Sequence, residues 1–349
     1  MTRPLFTTDQ TRCYDAAGEI IPCESTLQDG AFKTGPPWTD SRFRIEEEIV
    51  LDRLTGLAWT RHAAPAEFPL SWEEAFDYIR EMNTERAFGF GDWRLPNRRE
   101  LFSLVSHAHI NPSLPADHPF TEVFSGYYWT ATTCARLPGQ AWYVHLGGAR
   151  LFKGMKHGSY MVWPVRNYEA DPILPGTGQS TCYAVSGDPI PCGGVPGGRK
   201  SKTAFPWPEP RFSDESEVIT DHLTGLMWTR NADITEAPVG WETALEAVAA
   251  MNDRSAFGYD DWRLPNIREL ESLTDMGAHS PAVASASRFE NIREFYWSST
   301  TSVYDPPYAW TLYTVDGNIG VGFKRKADFH VWPVRETAFG RGVYADETT

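Results

Sequence analysis

The chain has 349 residues, 41% hydrophobic and 22% charged, with a formal net charge of −14. This is the composition of a globular protein long enough for about two domains of ~150 residues each. The charge excludes attraction to nucleic acid or an anionic membrane through the overall field, and no run of ~18 apolar residues is present to form a transmembrane segment.

All fourteen tryptophans fall into pairs separated by 168 or 169 residues: 38 with 207, 59 with 228, 72 with 241, 93 with 262, 129 with 297, 142 with 310 and 163 with 332. A fixed long period of this kind marks a tandem duplication. Each ring buries ~150–250 Å², so the shared tryptophans read as scaffold. The division expected from the repeat is a first domain at 1–170, a Pro/Gly-rich linker at 171–179 and a second domain at 180–349.

Residues 1–6 contain no apolar stretch, so no signal peptide is expected in this numbering. Cys13 and Cys23 then bracket CYDAAGEIIPC, and Cys182 and Cys192 bracket CYAVSGDPIPC. A central Gly and a Pro before the second Cys predict two short strands and a turn that bring the thiols together. The reading is a disulfide at Cys13–Cys23 and another at Cys182–Cys192, and hence an oxidising compartment: secreted, periplasmic or at the cell surface. Zinc is the rival, but nine intervening residues is not the spacing of a zinc knuckle. Cys134 has Ser302 as its counterpart and is expected to be a buried thiol.

Proline-rich segments follow at 35–38 and 205–208, and then a strand in each copy ending in TGLAWTR (55–61) or TGLMWTR (224–230), with a hairpin turn at Thr-Gly. A helix starts at Ser71, with Glu74 completing a capping box. Trp72, Ala75, Phe76, Ile79 and Met82 form its apolar stripe, and Asn83 is a candidate left-handed cap. The second copy repeats this with Trp241, Ala244, Leu245, Val248, Met251 and Asn252, although Gly240 replaces the capping serine. A shorter helix begins inside DWRLPNRREL or DWRLPNIREL, with Asn97 and Asn266 as N-caps and Glu100 and Glu269 three residues on. The last third of each copy is rich in aromatic and β-branched residues with Gly turns, as in YYWTATTC, QAWYVHLGG and YMVWPVR, and predicts strands.

The ordered set of TGL-x-W, a Trp-headed helix, DWRLPN-x-REL, YWSSTT and a closing WPVR resembles the domain family named after the C-terminal region of the Legionella collagen-like protein, over roughly 11–168 and 180–337. The WRLPN-x-REL string is also similar to the RLPT-x-x-EW string of formylglycine-generating enzymes. The resemblance implies an α+β fold: two tandem C-type-lectin-like domains, each with two helices, a small twisted antiparallel sheet and long loops able to host binding. Formylglycine-generating enzymes hold copper with two cysteines near their C-terminal end, whereas only Cys134 lies in the matching third here. No G-x-S-x-G elbow is present. No catalytic residue and no cofactor is therefore expected. His107, His109 and His118 have spacing that could suit a metal, with exposed loop histidines as the plainer reading. Asp40, Asp52, Asp214 and Asp221 are hard oxygen donors that would suit calcium, although no calcium-loop motif is present. Asp92 and Asp261 are read as structural partners of a nearby arginine such as Arg94 or Arg263, or of turn amides.

Binding is expected where the copies diverge, in the hairpin between the last two tryptophans of each. The candidates are Tyr143, His145, Arg150, Lys153, Lys156 and His157 in the first copy, and Tyr313, Asp316, Asn318, Lys324, Arg325 and Lys326 in the second. A basic tip on an acidic protein would focus a sulfated or carboxylated ligand, and the tyrosines could stack on a sugar. The expected function is a non-enzymatic adhesion module of an exported bacterial protein, with a glycan or a cell-surface protein as partner. The alternatives are an enzyme on the formylglycine-generating fold and a purely structural domain.

Overall fold

A computed structural model describes residues 5–24, 26–36, 41–169, 171, 173–192 and 204–337. Trp38 and Asp40 lie outside the described residues. The chain forms two compact units, one drawn from 39–206 and 275–278, the other from 1–38, 207–274 and 279–349. They are called below the 39–206 unit and the 207–349 unit. Both are α+β, and residues 41–169 and 211–337 run through the same strands and the same two longer helices in the same order.

In the 39–206 unit, strands Phe43–Glu46, Ile49–Asp52, Leu57–Thr60 and Val165–Asn167 form an antiparallel sheet in that order. Gly56, at φ 70°, closes the Thr-Gly turn between the second and third strands. The helix Trp72–Thr84 carries the full capping box and buries Trp72, Ala75, Phe76, Ile79 and Met82. The shorter helix Arg98–Ser103 carries the second capping box. Three consecutive antiparallel strands follow: Tyr127–Thr133, Gln140–His145 and Arg150–Met155. The 207–349 unit repeats the plan with Phe212–Glu215, Val218–Asp221, Leu226–Thr229 and Val334–Glu336, helices Trp241–Asp253 and Ile267–Ser272, and strands Phe295–Thr301, Tyr308–Tyr313 and Asn318–Phe323.

Six of the seven tryptophan pairs are buried in these cores: 59/228, 72/241, 93/262, 129/297, 142/310 and 163/332. Four pairs also donate the indole N–H to the equivalent carbonyl in each copy. Trp72 and Trp241 reach the carbonyls of Thr130 and Ser298, Trp93 and Trp262 those of Ala87 and Ala256, Trp129 and Trp297 those of Leu70 and Val239, and Trp163 and Trp332 those of Thr60 and Thr229. The indole N–H is thus satisfied in these four pairs, whereas those of Trp59, Trp142 and Trp228 are buried without a hydrogen-bond partner among the described residues.

Three expectations change. Asn83 and Asn252 are not left-handed caps. They lie inside their helices, and each side-chain amide pairs with the backbone N–H and C=O of Trp93 or Trp262. The segment 160–166 is not one strand: Tyr160 and Met161 bridge to Leu70 and Tyr128, and regular pairing resumes only after Pro164, which has no N–H to give. Finally, the compact units are cut differently from the contiguous halves 1–170 and 180–349. The Cys13–Cys23 hairpin (strands Cys13–Tyr14 and Ile20–Ile21) belongs to the 207–349 unit, and the Cys182–Cys192 hairpin (Cys182–Tyr183 and Pro189–Ile190) to the 39–206 unit. Both disulfides are formed, and Cys134 is a buried thiol that belongs to neither. Among the described residues, no helix is long and apolar enough to cross a membrane.

Candidate ligand-binding face

The strands Tyr127–Thr133, Gln140–His145 and Arg150–Met155 of the 39–206 unit set successive side chains on opposite faces. Trp142, Val144 and Leu151 are fully buried on one side, and Tyr143 and His145 lie on the other, across from Phe152 and Arg150; on that side Tyr143 and Tyr160 pack against the rim of the core that holds Trp72, Phe76 and Trp129. Tyr127 on the neighbouring strand pairs with His145. Its ring centroid lies 4.9 Å from Tyr143, 4.7 Å from His145 and 5.2 Å from Tyr160, and Tyr143 lies 5.1 Å from Tyr160 and 6.3 Å from Phe152. Tyr160 can cover this face because residue 154 is glycine: a Cβ there would stand 2.4 Å from the Tyr160 hydroxyl. The result is a contiguous aromatic face whose outer members, Tyr127 and Phe152, are each 42% exposed.

Electrostatics favour anions here. Residues 140–160 include Arg150, Lys153 and Lys156 but no Asp or Glu. Arg150 is exposed at the edge of the face, and the Lys153 ammonium lies 4.7 Å from the Phe152 ring centroid. Burial, and then Arg150, holds His145 below the ordinary histidine range, while burial pushes the Tyr143 hydroxyl up to about 12. Both side chains are therefore neutral hydrogen-bonding groups at neutral pH.

The sequence placed Tyr143, His145, Arg150 and Lys153 in one hairpin; the fold sets Tyr143, His145 and Arg150 on one face, while Lys153 pairs with Trp142 on the opposite side and only its ammonium reaches the Phe152 ring. Tyr127, Phe152 and Tyr160 were missed, because they join the face only through strand register and the glycine at 154. His157 is exposed beyond the hairpin. The second copy lacks the same face. Tyr313 pairs with Phe295 as His145 pairs with Tyr127, so Tyr313 matches His145, while Tyr143 is matched by the buried Thr311. Gly320 takes the place of Phe152, and Tyr313 packs over it among Phe295 and Phe329. Asp316 and Asn318 are buried in the hairpin turn, where the Asp316 carboxylate accepts the Asn318 N–H. Arg325 and Lys326 are exposed.

Lys156 and Lys324 are not at an exposed basic tip. Both are buried, with their ammonium groups 4.1 Å from the ring centroids of Trp72 and Trp241. Lys156 donates to the carbonyls of Tyr183 and Ala184, and Lys324 to those of Tyr14 and Asp15. They hold the disulfide hairpins and are withdrawn from the surface candidates. An open cleft of about 370 Å³ lies beside Lys324, lined also by Asp15, Ala17, Glu242, Thr243 and Arg325.

The calcium donors are otherwise engaged. Asp52 and Asp221 form buried two-pronged pairs with Arg42 and Arg211, and Asp214 pairs with Arg230 and Arg288. Asp92 and Asp261 pair with Arg166 and Arg335 from the closing WPVR, not with Arg94 and Arg263, which pair with Glu100 and Glu269. His107 is buried against Phe102, the His109 ring meets the Ser106 hydroxyl at 2.9 Å, and His118 stacks on Phe120. No group of three metal-ligating side chains converges among the described residues.

These features define a duplicated α+β protein with two disulfide hairpins and an aromatic face on one of its units. A family model described as the Lcl C-terminal domain matches residues 48–166 and again 217–335, so the chain belongs to that family as a tandem pair. No curated protein matches the chain.

Proposed function

We propose that this is a non-enzymatic binding module of an exported protein, and that the aromatic face of the 39–206 unit holds a glycan at a cell surface. The observation that carries this reading is the cluster of Tyr127, Tyr143, Tyr160 and Phe152, partly exposed on one sheet face. Tyrosine combines a flat apolar surface with a polar end that stays hydrated, the combination that suits a sugar ring with its hydroxyl edge. Arg150 and Lys153, in a hairpin free of acids, direct the preference to sulfated or carboxylated sugars. A C-type-lectin-like relationship is consistent with the small sheets and long loops, and the disulfides favour an oxidising compartment.

A glycan array with the intact chain at two salt concentrations, with and without calcium, tests the proposal. Binding to acidic glycans should weaken with salt, be indifferent to calcium, and fall at least tenfold in Tyr127→Ala and Phe152→Ala. Arg325→Ala/Lys326→Ala, in the other unit, should leave it unchanged. Silence across the array, or loss only in the latter variant, would sink the reading.

A further inference from the structure

The two disulfide hairpins are held by the same three grips: the Cys13–Cys23 hairpin on the second copy, with the whole first copy between them in sequence, and the Cys182–Cys192 hairpin on the first copy, which it directly follows. In the first grip, Gln10 uses both ends of its amide on the backbone of Thr301, accepting from its N–H and donating to its carbonyl; Gln179 does the same to Thr133. In the second, Lys324 and Lys156 donate to the turn carbonyls of the hairpins. The third is close backbone approach at the turn glycines. A Cβ on Gly18 would stand 2.6 Å from Pro307, and one on Gly187 would stand 3.0 Å from the Gly139 N, while their φ values of 88° and 94° already exclude most side chains. Gln10 and Gln179 are 169 residues apart, as are Gly18 and Gly187, so the grips are as much a duplicated feature as the tryptophans.

Nearly everything a docking face reads is therefore common to both hairpins: a side-chain amide, two carbonyls and a bare glycine. Within the Cys13–Cys23 hairpin, a further contact is a 3.2 Å bond from the Ala16 N–H to the Glu242 carboxylate, and beyond it Asp29 and Thr34 accept from Thr300 and Asn266. A hairpin that docks through generic grips, as the Cys13–Cys23 hairpin does across the whole of residues 39–206, can make identical contacts on the same copy of another molecule, which is the arrangement of a domain swap. Because the contacts in trans equal those in cis, only the effective concentration of the tethered hairpin opposes exchange, roughly millimolar for a short tether. The net charge of −14 adds repulsion between chains that salt would screen.

We propose that each docking face is a receptor for a disulfide hairpin in trans, and that its partner is a second copy of this chain. At about micromolar concentration the hairpins stay in cis. Near millimolar concentration, and more so at high salt, chains link by exchanging them.

Cross-linking across the Lys324 cleft tests this, since Ala17 on the hairpin and Arg325 on the face both line it and are exposed. Ala17→Cys and Arg325→Cys are introduced into separate full-length chains, mixed, and treated with a short bismaleimide. The expected product is a covalent dimer joined between positions 17 and 325, at least tenfold more abundant at about 1 mM than at about 10 µM. A chain carrying both substitutions should close on itself at about 10 µM. If that chain closes but the mixture gives no more 17–325 product than a mixture in which exposed Phe68→Cys replaces Arg325→Cys, the proposal is overturned. Failure of the doubly substituted chain to close would overturn it too, because the hairpin would then not occupy this face.

Discussion

Lys324, under the Cys13–Cys23 hairpin, and Asp29, which opens the short helix Asp29–Phe32 after it, are two buried ionisable groups of one unit with opposite pH dependence. Burial lowers Lys324 from 10.5 to about 7, against the pull of Asp15 and Glu242. Between pH 7 and 10.5 the unfolded chain carries a proton that the folded chain lacks, so stability rises with pH across that window, and below 7 the penalty is fully present. Asp29 is buried under the Thr8 and Thr300 hydroxyls, both donating to one carboxylate oxygen, and burial raises it from 3.8 to about 6. Here the folded chain holds the extra proton, so its contribution is complete below pH 3.8 and is lost as pH rises through 6. Two outcomes are expected in thermal melts taken against pH. Lys324→Met should remove much of the rise in Tm between pH 7 and 10, and Asp29→Asn should gain on the wild type at pH 8 but not at pH 3.5. If either variant tracks the wild type in parallel at all pH values, the buried charge assigned to that residue is not the one that titrates.

At the scale of the element, much was legible because the signals are local. Ser71 with Glu74 and Asn97 with Glu100 announce helix starts through hydrogen bonds three residues apart, and both boxes form. The stripe from Trp72 to Met82 announces the buried face by period alone. Asn83 was misread because its partner, the backbone of Trp93, lies ten residues away and beyond the helix. The copies also differ in a way that can be measured. Ser71→Ala should cost about 1 kcal/mol in urea unfolding, the usual value of an N-cap hydroxyl. Gly240→Ser should recover only a few tenths, since glycine is itself an acceptable N-cap. Its new Cβ would also press on the Lys324 carbonyl at 3.3 Å, the same oxygen that accepts the Trp241 N–H. A full 1 kcal/mol gain would mean that the helix start is looser than its hydrogen bonds indicate. The binding face shows the same limit on reading from sequence: Tyr143 and Tyr313 look equivalent in a list of residues, and only strand register shows that Tyr313 stands where His145 does.

For the whole molecule, the duplication was readable from tryptophan spacing, but the exchange of hairpins was not, and the reason is geometric. With a period near 169 residues, each hairpin has two candidate docking surfaces carrying the same lysine, the same tryptophan and a threonine at the same strand position, so no residue pattern distinguishes docking on its own copy from docking on the other. The distinction lies in which carbonyls meet Lys324 and Lys156, and those belong to Tyr14 and Asp15 in one case and to Tyr183 and Ala184 in the other. A cut chain makes the consequence measurable. With a protease site inserted after Ala170 and cleaved in the folded protein, fragments 1–170 and 171–349 each hold a hairpin seated in the unit built mainly from the other fragment. The nicked protein should therefore elute as one species of unchanged size at about micromolar concentration. Adding Gly18→Val and Gly187→Val, which drive a Cβ into Pro307 and the Gly139 backbone, should release the fragments. Separation of the nicked protein without those substitutions would mean that each hairpin sits on its own half, as a simple pair of beads would have it, and that the duplication built two independent domains and not a mutually clasped pair.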